Sequence, residues 1–88
     1  MGQLSNEEED AINALRTLVG HLVEHEYEVV VTNTTTMRMI SLNLDERDRG
    51  RVIGSKGSII NSFKTLASAL GGKYGYRYLI EIIEEGGH

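Results

Sequence analysis

The four residues Gly54-Ser55-Lys56-Gly57 are the part of this sequence best suited to bind a charged ligand. A glycine at each end permits a left-handed backbone and leaves no side chain to block a ligand. Gly57 precedes a stretch with helical periodicity, and the first N–H groups of a helix attract anions. Lys56 adds a positive charge and Ser55 a hydroxyl beside them. The segment therefore predicts a cradle for phosphate groups, with room for a strand of nucleic acid.

Two other phosphate-binding motifs do not fit this segment. A P-loop needs G-x-x-x-x-G-K-[ST], but counted from Gly50 the second glycine position is Ser55, and Gly57 stands where Ser or Thr belongs. The dinucleotide fingerprint G-x-G-x-x-G fails because Val52 occupies its first glycine position. The pattern that remains is V-I-G-x-x-G-x-x-I-x-x-F over residues 52–63.

A second group with chemical potential is His21-Leu22-Val23-Glu24-His25, which matches the H-x-x-E-H motif of zinc hydrolases. On a helix this spacing places both imidazoles on one face, as a zinc site requires. A zinc hydrolase also needs a third protein ligand and a substrate cleft, for which so short a chain has little room. We therefore favour a plain helix flank, and we expect no metal, no other cofactor and no catalysis.

Capping residues and hydrophobic periodicity predict the helices and strands that would position the Gly54–Gly57 segment. Ser5 and Glu8 form a capping box ahead of an amphipathic helix over about residues 6–25. Strands are predicted over 27–32 and 37–44 as an antiparallel hairpin, and over 76–83. A short helix precedes Gly54, and a longer one runs from Gly57 until Gly71-Gly72 stops it. Residues 1–4 are expected to be a loose lead-in, and residues 84–88 a polar tail.

These elements give the order αββααβ in a single domain over residues 1–88. The fold class is α+β, with three helices packed on one face of a three-stranded sheet. The sequence has no cysteine, which excludes disulfides and thiolate metal sites. It has neither an apolar run near the ~20 residues that span a bilayer nor a signal peptide's basic start. We therefore expect a cytoplasmic protein that does not bind membranes.

The net charge of -4 argues at first against a nucleic-acid partner. Its distribution changes that conclusion. Residues 1–46 hold two arginines against nine acids, and residues 79–88 hold three acids and no Lys or Arg. Residues 47–78 hold seven basic side chains against Asp48 alone, which is a net +6. Positive charge is thus concentrated on the segment that carries the cradle, as in nucleic-acid-binding domains.

The pattern over residues 52–63, in a helix–GXXG–helix–strand frame, resembles the KH domain. The GXXG loop of that family clamps the backbone of four nucleotides of single-stranded RNA. The αββααβ order is similar to the type II KH fold, and the length and the ending Tyr-Leu-Ile-Glu-Ile-Ile-Glu resemble the KhpA family, small bacterial stand-alone KH proteins. The resemblance extends over about residues 10–84, and we assign the KH domain to about 5–84.

The resemblance implies roles for particular residues. Those that match the backbone clamp are Gly54, Ser55, Lys56 and Gly57. Those that match apolar positions beside the base groove are Ile53 and Ile60, and the linker 71–76 matches the variable loop across the groove. Further RNA contacts are expected from the basic residues Arg49, Arg51, Lys64 and Lys73. Phe63 departs from the usual aliphatic residue, which should change packing rather than binding.

Three tyrosines near the end of the chain are open to two interpretations. Tyr74, Tyr76 and Tyr78 could stack on bases, as aromatic residues do in other RNA-binding modules. Alternation along one strand favours packing or an interface for Tyr76 and Tyr78.

The sequence analysis therefore predicts a non-catalytic protein that binds single-stranded RNA, in the role of an RNA chaperone or post-transcriptional regulator. The alternative is a protein-interaction module on a KH scaffold, which acts through a homodimer or a second, larger KH-containing protein.

Overall fold

Helix α1 (Asn6–Leu22) begins at the predicted capping box and ends three residues earlier than predicted. A computed structural model of the chain describes residues 3–83. In it the Ser5 hydroxyl accepts from the Glu8 N–H, and the Glu8 carboxylate accepts from the Ser5 N–H. The helix ends at Leu22 because the N–H groups of Glu24 and His25 donate to the buried carboxylate of Asp48, at 3.2 and 3.0 Å.

Three strands form one sheet in the order β1-β2-β3. Strands β1 (Tyr27–Asn33) and β2 (Met37–Leu44) are antiparallel, which confirms the predicted hairpin. Strand β3 (Arg77–Ile82) pairs parallel to β2, with Ile40 opposite Ile80. Since two parallel neighbours need a crossover connection, the segment between β2 and β3 must pass over one face of the sheet.

The crossover consists of helix α2 (Glu46–Ile53), a single 3-10 turn (Ser55–Gly57) and helix α3 (Ser58–Tyr74). Asp45 caps α2 by accepting from the Arg47 N–H. The predicted stop of α3 at Gly71-Gly72 is wrong, because the helix continues to Tyr74 and ends at Gly75 in a left-handed conformation. A side chain at position 71 would lie 2.6 Å from the Tyr76 carbonyl oxygen, so Gly71 permits close packing against the start of β3.

The hydrophobic core lies between the three helices and one face of the sheet, which confirms the predicted α+β architecture. Its most deeply buried members include Val19 of α1, Ile40 and Leu42 of β2, and Val52 of α2. Phe63 also lies in this core, 5% exposed.

Two leucines of the helices are not buried. Leu18 of α1 and Leu66 of α3 are each 48% exposed.

A largely buried polar cluster, here called the hub, joins α1 to the sheet. It consists of Glu8, Arg38, Tyr76 and Tyr78. The Arg38 Nε donates to Glu8 Oε2 at 3.0 Å, and the Tyr78 hydroxyl donates to the same oxygen. The Arg38 guanidinium also stacks on the Tyr76 ring, 3.6 Å from its centroid. The hub therefore fixes the sheet end that lies beside the α3–β3 connection.

The described part of the expected loose lead-in, residues 3–4, has no regular secondary structure but contacts the domain. The carbonyl of Gln3 accepts a hydrogen bond from Arg38 at 3.3 Å, and Leu4 packs against the core. Residues 1–2 of this lead-in and the predicted polar tail over 84–88 lie outside the described residues.

Candidate nucleic-acid interface

Three of the four residues of the GXXG loop (Gly54–Gly57) have a positive φ. Gly54 has φ 79°, Lys56 57° and Gly57 77°. Among the described residues, Lys56 is the one non-glycine residue with a positive φ. A lysine in this region costs about 1–2 kcal/mol, which the surrounding structure must offset. The fold thus holds an exposed lysine in a disfavoured conformation between the end of α2 and the start of α3.

The two glycines of the loop are needed for different reasons. A side chain at position 54 would lie 2.7 and 2.8 Å from the side chain and backbone N of Ile59. The packing of the loop itself therefore requires glycine at position 54. At Gly57 the nearest atom to such a side chain would be the Asn61 Nδ2, at an ordinary contact distance of 3.4 Å.

The backbone donors of the loop differ from the sequence-based expectation. The Gly57 N–H donates to the Gly54 carbonyl at 3.1 Å, and the Ser58 N–H donates to the Ser55 carbonyl. These two N–H groups at the start of α3 were expected to be available to an anion, but they form hydrogen bonds within the turn. Ser55 and Lys56 are exposed, and their side chains have no hydrogen-bond or ion-pair partner within residues 3–83.

Helix α2 presents its arginines on two different flanks. Residues four apart share a helical face, so Arg49 lies with Ile53 and Arg51 lies with Arg47. Arg51 pairs with Glu24 at 3.3 Å and Arg47 with Asp45 at 2.9 Å. The hydrogen bonds from Arg47 hold the pKa of the Asp45 carboxyl well below its usual range. The structure therefore brings Arg49 but not Arg51 to the flank that carries Ile53.

Arg49 differs from its neighbours in its hydrogen bonding. Its Nε is buried and has no partner in the part of the chain that the structure describes. A buried donor without a partner is costly, so the hydrogen-bonding capacity of Arg49 is not satisfied within the described residues.

The two isoleucines assigned to the base groove have different environments. Ile53 is 38% exposed at the end of α2, next to the loop. Ile60 is 9% exposed and belongs to the hydrophobic core. Ile53 can therefore contact a ligand directly, whereas Ile60 packs beneath the loop.

A groove of about 650 Å³ runs between α3 and the edge strand β3. Its α3 side is formed by Lys64, Ser68 and the glycine pair 71–72, and its β3 side by residues 76–80. Lys64 is seven residues from Gly57, roughly 10 Å along the helix axis, and lies at the end of the groove nearer the loop.

Lys73 is not part of this arrangement. It lies in the last turn of α3, roughly 24 Å along the helix axis from Gly57. Its Nζ lies 5.4 Å from the centroid of the Tyr74 ring. The predicted variable loop over residues 71–76 is also shorter than expected, because only Gly75 and Tyr76 connect α3 to β3.

Arg77 lines the groove and was not selected from the sequence. It is exposed at the first position of β3. The residue was counted in the basic segment, but its position beside α3 depends on where that helix ends. Because the Gly71-Gly72 pair predicted an earlier end of α3, the sequence did not show that Arg77 lies beside this helix.

A larger hollow of about 760 Å³ lies next to the start of β1 and of α2. Its lining includes Glu24, Glu26 and Asp45 together with His25 and Arg47. Three carboxylates would repel phosphates, so this hollow is a poor site for nucleic acid.

The two histidines of the H-x-x-E-H segment do not share a helical face, contrary to the geometry predicted from their spacing. His21 is exposed in the last turn of α1, whereas His25 lies beyond the helix end. The His25 Nδ1 instead lies 3.1 Å from Asp48 Oδ2. Burial would raise the pKa of Asp48, but its contacts with the Glu24 N–H and with His25 lower it. Within residues 3–83 there is no group of three metal-ligating side chains.

The tyrosines pack within the domain. Tyr78 is 5% exposed in the core, and burial together with its hydrogen bond to Glu8 raises the pKa of its hydroxyl. One face of the Tyr76 ring is covered by Arg38. The packing interpretation is therefore confirmed for Tyr78, whereas Tyr76 is half-buried and also lines the α3–β3 groove. None of the described helices is long and apolar enough to cross a membrane.

Comparisons with known proteins identify relatives for nearly the whole described chain. The family model for the KH domain of KhpA and KhpB matches residues 12–82. The RNA-binding protein KhpA of Listeria monocytogenes serovar 1/2a is 39% identical over 70 residues, which cover 77% of this chain and 92% of the relative. The RNA-binding protein KhpA of Aquifex aeolicus is 35% identical over 65 residues, which cover 72% and 82%. No solved structure matches significantly.

The matched residues 12–82 span the complete β2–α2–loop–α3–β3 unit and most of α1. The helix–GXXG–helix–strand frame, the described fold and the two relatives agree with one another. The chain therefore belongs to the KhpA/KhpB family of KH domains.

Proposed function

We propose that this protein binds single-stranded RNA without catalysis and that the GXXG loop clamps the RNA backbone. The observation that carries the proposal is Lys56, exposed and held at φ 57° with no partner in the described structure. Strained backbone persists where the surroundings over-determine it, and it is concentrated at functional sites. The relatives' names as RNA-binding proteins support RNA as the ligand class.

The distribution of unpaired cations supports one path for the strand. Arg49, Lys56, Lys64 and Arg77 lie along the α2 flank, the loop and the α3–β3 groove, and none forms an ion pair within the described residues. Outside this path, Arg47 and Arg51 are paired with the carboxylates of Asp45 and Glu24.

In this proposal the phosphates lie against Gly54–Gly57, and the bases lie against Ile53 and the α3–β3 groove. Arg49 and Lys64 contact the strand on either side of the loop, and Ile60 supports the loop from the core. Arg51 and Lys73 make no direct contact, which narrows the set of sites assigned from the sequence.

The salt dependence of RNA binding tests whether the interaction is electrostatic and involves only a few phosphate groups. With three phosphate contacts, the slope of log affinity against log salt is expected near about -2, because each contributes about 0.7 for single strands. The measurement is fluorescence anisotropy with a short labelled single-stranded oligoribonucleotide. A slope near zero would contradict phosphate binding.

The double variant Ser55→Asp/Lys56→Asp tests the location. We expect a loss of at least about tenfold in affinity with the fold retained, because two carboxylates would face the backbone phosphates. Thr17→Asp/Lys73→Asp is the matched control, since it makes the same change in net charge at exposed positions away from the loop. If both double variants bind equally, the loop is not the site.

The RNA chaperone and post-transcriptional regulator roles, and a cytoplasmic location, remain part of this proposal. A non-catalytic single domain with few phosphate contacts would bind many RNAs with modest affinity. Crosslinking in cells followed by sequencing of the bound RNA tests these roles. Recovery of no RNA above background would contradict them.

One observation favours the protein-interaction alternative as a second function. An apolar hollow of about 250 Å³ lies between α1 and α3, and all six of its lining residues are uncharged: Leu18, Leu22, Ile59, Ser62, Phe63 and Leu66. Depletion of charge is typical of interface cores, and a two-fold homodimer places the same surface on both subunits. We propose this face for a second copy of the chain or another KH-containing protein.

Sedimentation with and without RNA separates the two functions. A dimer that dissociates in Leu66→Glu but not in Val30→Glu, an exposed position on the opposite sheet face, would support the α1–α3 face. A monomer at all concentrations would contradict the homodimer.

A further inference from the structure

The GXXG loop has fewer free backbone donors than a phosphate clamp is expected to offer. The Gly57 N–H donates to the Gly54 carbonyl at 3.1 Å, and the Ser58 N–H donates to the Ser55 carbonyl. These are the donors closest to the start of α3. A phosphate held at this end of the loop therefore needs another donor, since each unmatched anionic oxygen weakens the complex.

Asn61 places an amide group at the same end of the loop. Its Nδ2 is the nearest atom to the position of a side chain at Gly57, at 3.4 Å. The residue is exposed, and its side chain makes no hydrogen bond to any of residues 3–83. The amide therefore has two N–H donors available directly beside Gly57.

The position of Asn61 on α3 also joins the loop to the groove. Successive spacings of four, three, four and four residues put the following residues on one helical face: Gly57, Asn61, Lys64, Ser68 and Gly72. The last three line the α3–β3 groove. A strand that leaves the loop toward the groove must pass the Asn61 side chain.

We propose that Asn61 is a further RNA-contacting residue whose side-chain amide donates a hydrogen bond to the phosphate held at Gly57. This inference rests on the proposed RNA binding at the GXXG loop. Asn61 supplies a neutral, directed donor, and Lys56 supplies the charge. The two residues therefore contribute to affinity in ways that respond differently to salt.

The test compares the salt dependence of oligoribonucleotide binding in Asn61→Ala and Lys56→Gln. Removal of a hydrogen bond to a charged group should weaken Asn61→Ala roughly tenfold without changing the slope, since no counterion is released by a neutral group. Lys56→Gln should reduce the magnitude of the slope by about 0.7. Thr65→Ala is the matched control, because its exposed hydroxyl donates only to the Asn61 carbonyl within α3.

Asn61→Asp distinguishes a role of Asn61 as hydrogen-bond donor from a purely structural role. The substitution keeps the shape of the side chain and removes its N–H groups. We expect it to bind more weakly than Asn61→Ala, since a carboxylate would face the phosphate. Binding of Asn61→Asp at the wild-type level would overturn the inference, as would an unchanged affinity for Asn61→Ala. Failure of the wild-type protein itself to bind the oligoribonucleotide would instead overturn the proposed function.

Discussion

Arg38 and Lys56 are both basic residues of the KH core, but their surroundings are opposite. Arg38 is 0% exposed and makes hydrogen bonds to Glu8 and to the carbonyls of Gln3, Thr34 and Met37. Lys56 is exposed in a left-handed conformation and has no partner within the described residues. The N–H groups of Arg38 all have acceptors within the described residues, whereas the Lys56 ammonium group has none and its backbone is strained.

This difference shows which charges hold the fold and which are available to a ligand. A buried ion pair depends on excellent geometry and on further hydrogen bonds, both of which the hub supplies. An exposed, unpaired lysine contributes little to folding and can form new contacts at small desolvation cost. The following predictions test whether the two regions are as separate as this comparison implies.

The largest effect is expected for Arg38→Met. The substitution leaves the Glu8 carboxylate buried without its ion-pair partner, which costs about 3–5 kcal/mol in the free energy of unfolding. Urea denaturation measures this change. Arg47→Met is the control, because an exposed pair is worth about 0–1 kcal/mol. Equal stability losses in both variants would contradict the assigned role of the hub.

Acid should weaken the same hub without mutation. Burial alone would raise the pKa of Glu8, but hydrogen bonds from Arg38 and Tyr78 outweigh it and lower the pKa from 4.5 to about 2. A carboxyl group whose pKa is lower in the folded than in the unfolded state stabilises the fold. This stabilisation is complete above the unfolded-state pKa and is lost as pH falls through the folded-state pKa. The lowered pKa of Asp48 acts in the same direction.

We therefore expect the unfolding free energy to decrease between about pH 4.5 and pH 2. Denaturation at a series of pH values measures the decrease. In Glu8→Gln, which cannot titrate, the decrease should be smaller. An identical pH profile for the two proteins would contradict the shifted pKa.

A smaller effect is expected for Gly54→Ala in the loop. The added methyl group would collide with Ile59 and force a non-glycine residue to φ 79°, which we expect to cost about 1–3 kcal/mol. Thermal unfolding measures the loss, and RNA binding should weaken as well because the turn must move. A variant with unchanged stability and affinity would show that the loop geometry is not constrained by Ile59.

The smallest effect is expected for Gly50→Ala in α2, with the opposite sign. A side chain at position 50 would meet no atom within 4 Å, and the helix gains from the removal of glycine. The expected gain is about 0.5–1 kcal/mol. Thermal unfolding measures the gain, and Gly54→Ala, measured in parallel, provides the comparison with a glycine just after the end of α2. A loss of stability would indicate that α2 is not helical at this position.

The order of the elements and the position of the GXXG loop between two helices follow directly from the sequence, since capping, periodicity and the GXXG pattern are local properties. The Ser5–Glu8 capping box and the β1–β2 hairpin are examples. The boundaries that were wrong depend on contacts between distant residues. The end of α1 depends on Asp48, 24 residues after Glu24, and the end of α3 depends on how closely Gly71 approaches Tyr76.

The site shows the same division. Spacing identifies the loop, but it does not show that Arg51 is paired with Glu24 or that Ile60 lies in the core. The charge sum over residues 47–78 counted every basic side chain as available. In the structure, part of that charge is neutralised by carboxylates on the opposite flank of α2.

The central claim is that RNA contacts the GXXG loop and the adjoining α3–β3 groove, while the buried Glu8–Arg38 pair of the hub stabilises the fold. NMR titration of the backbone amide signals with a short single-stranded oligoribonucleotide tests this most directly. We predict the largest shifts at Gly54–Gly57, with further shifts at Asn61, Lys64 and Arg77. Largest shifts along the α1–α3 face at Leu18 and Leu66, or around His25 and Arg47, would contradict the account.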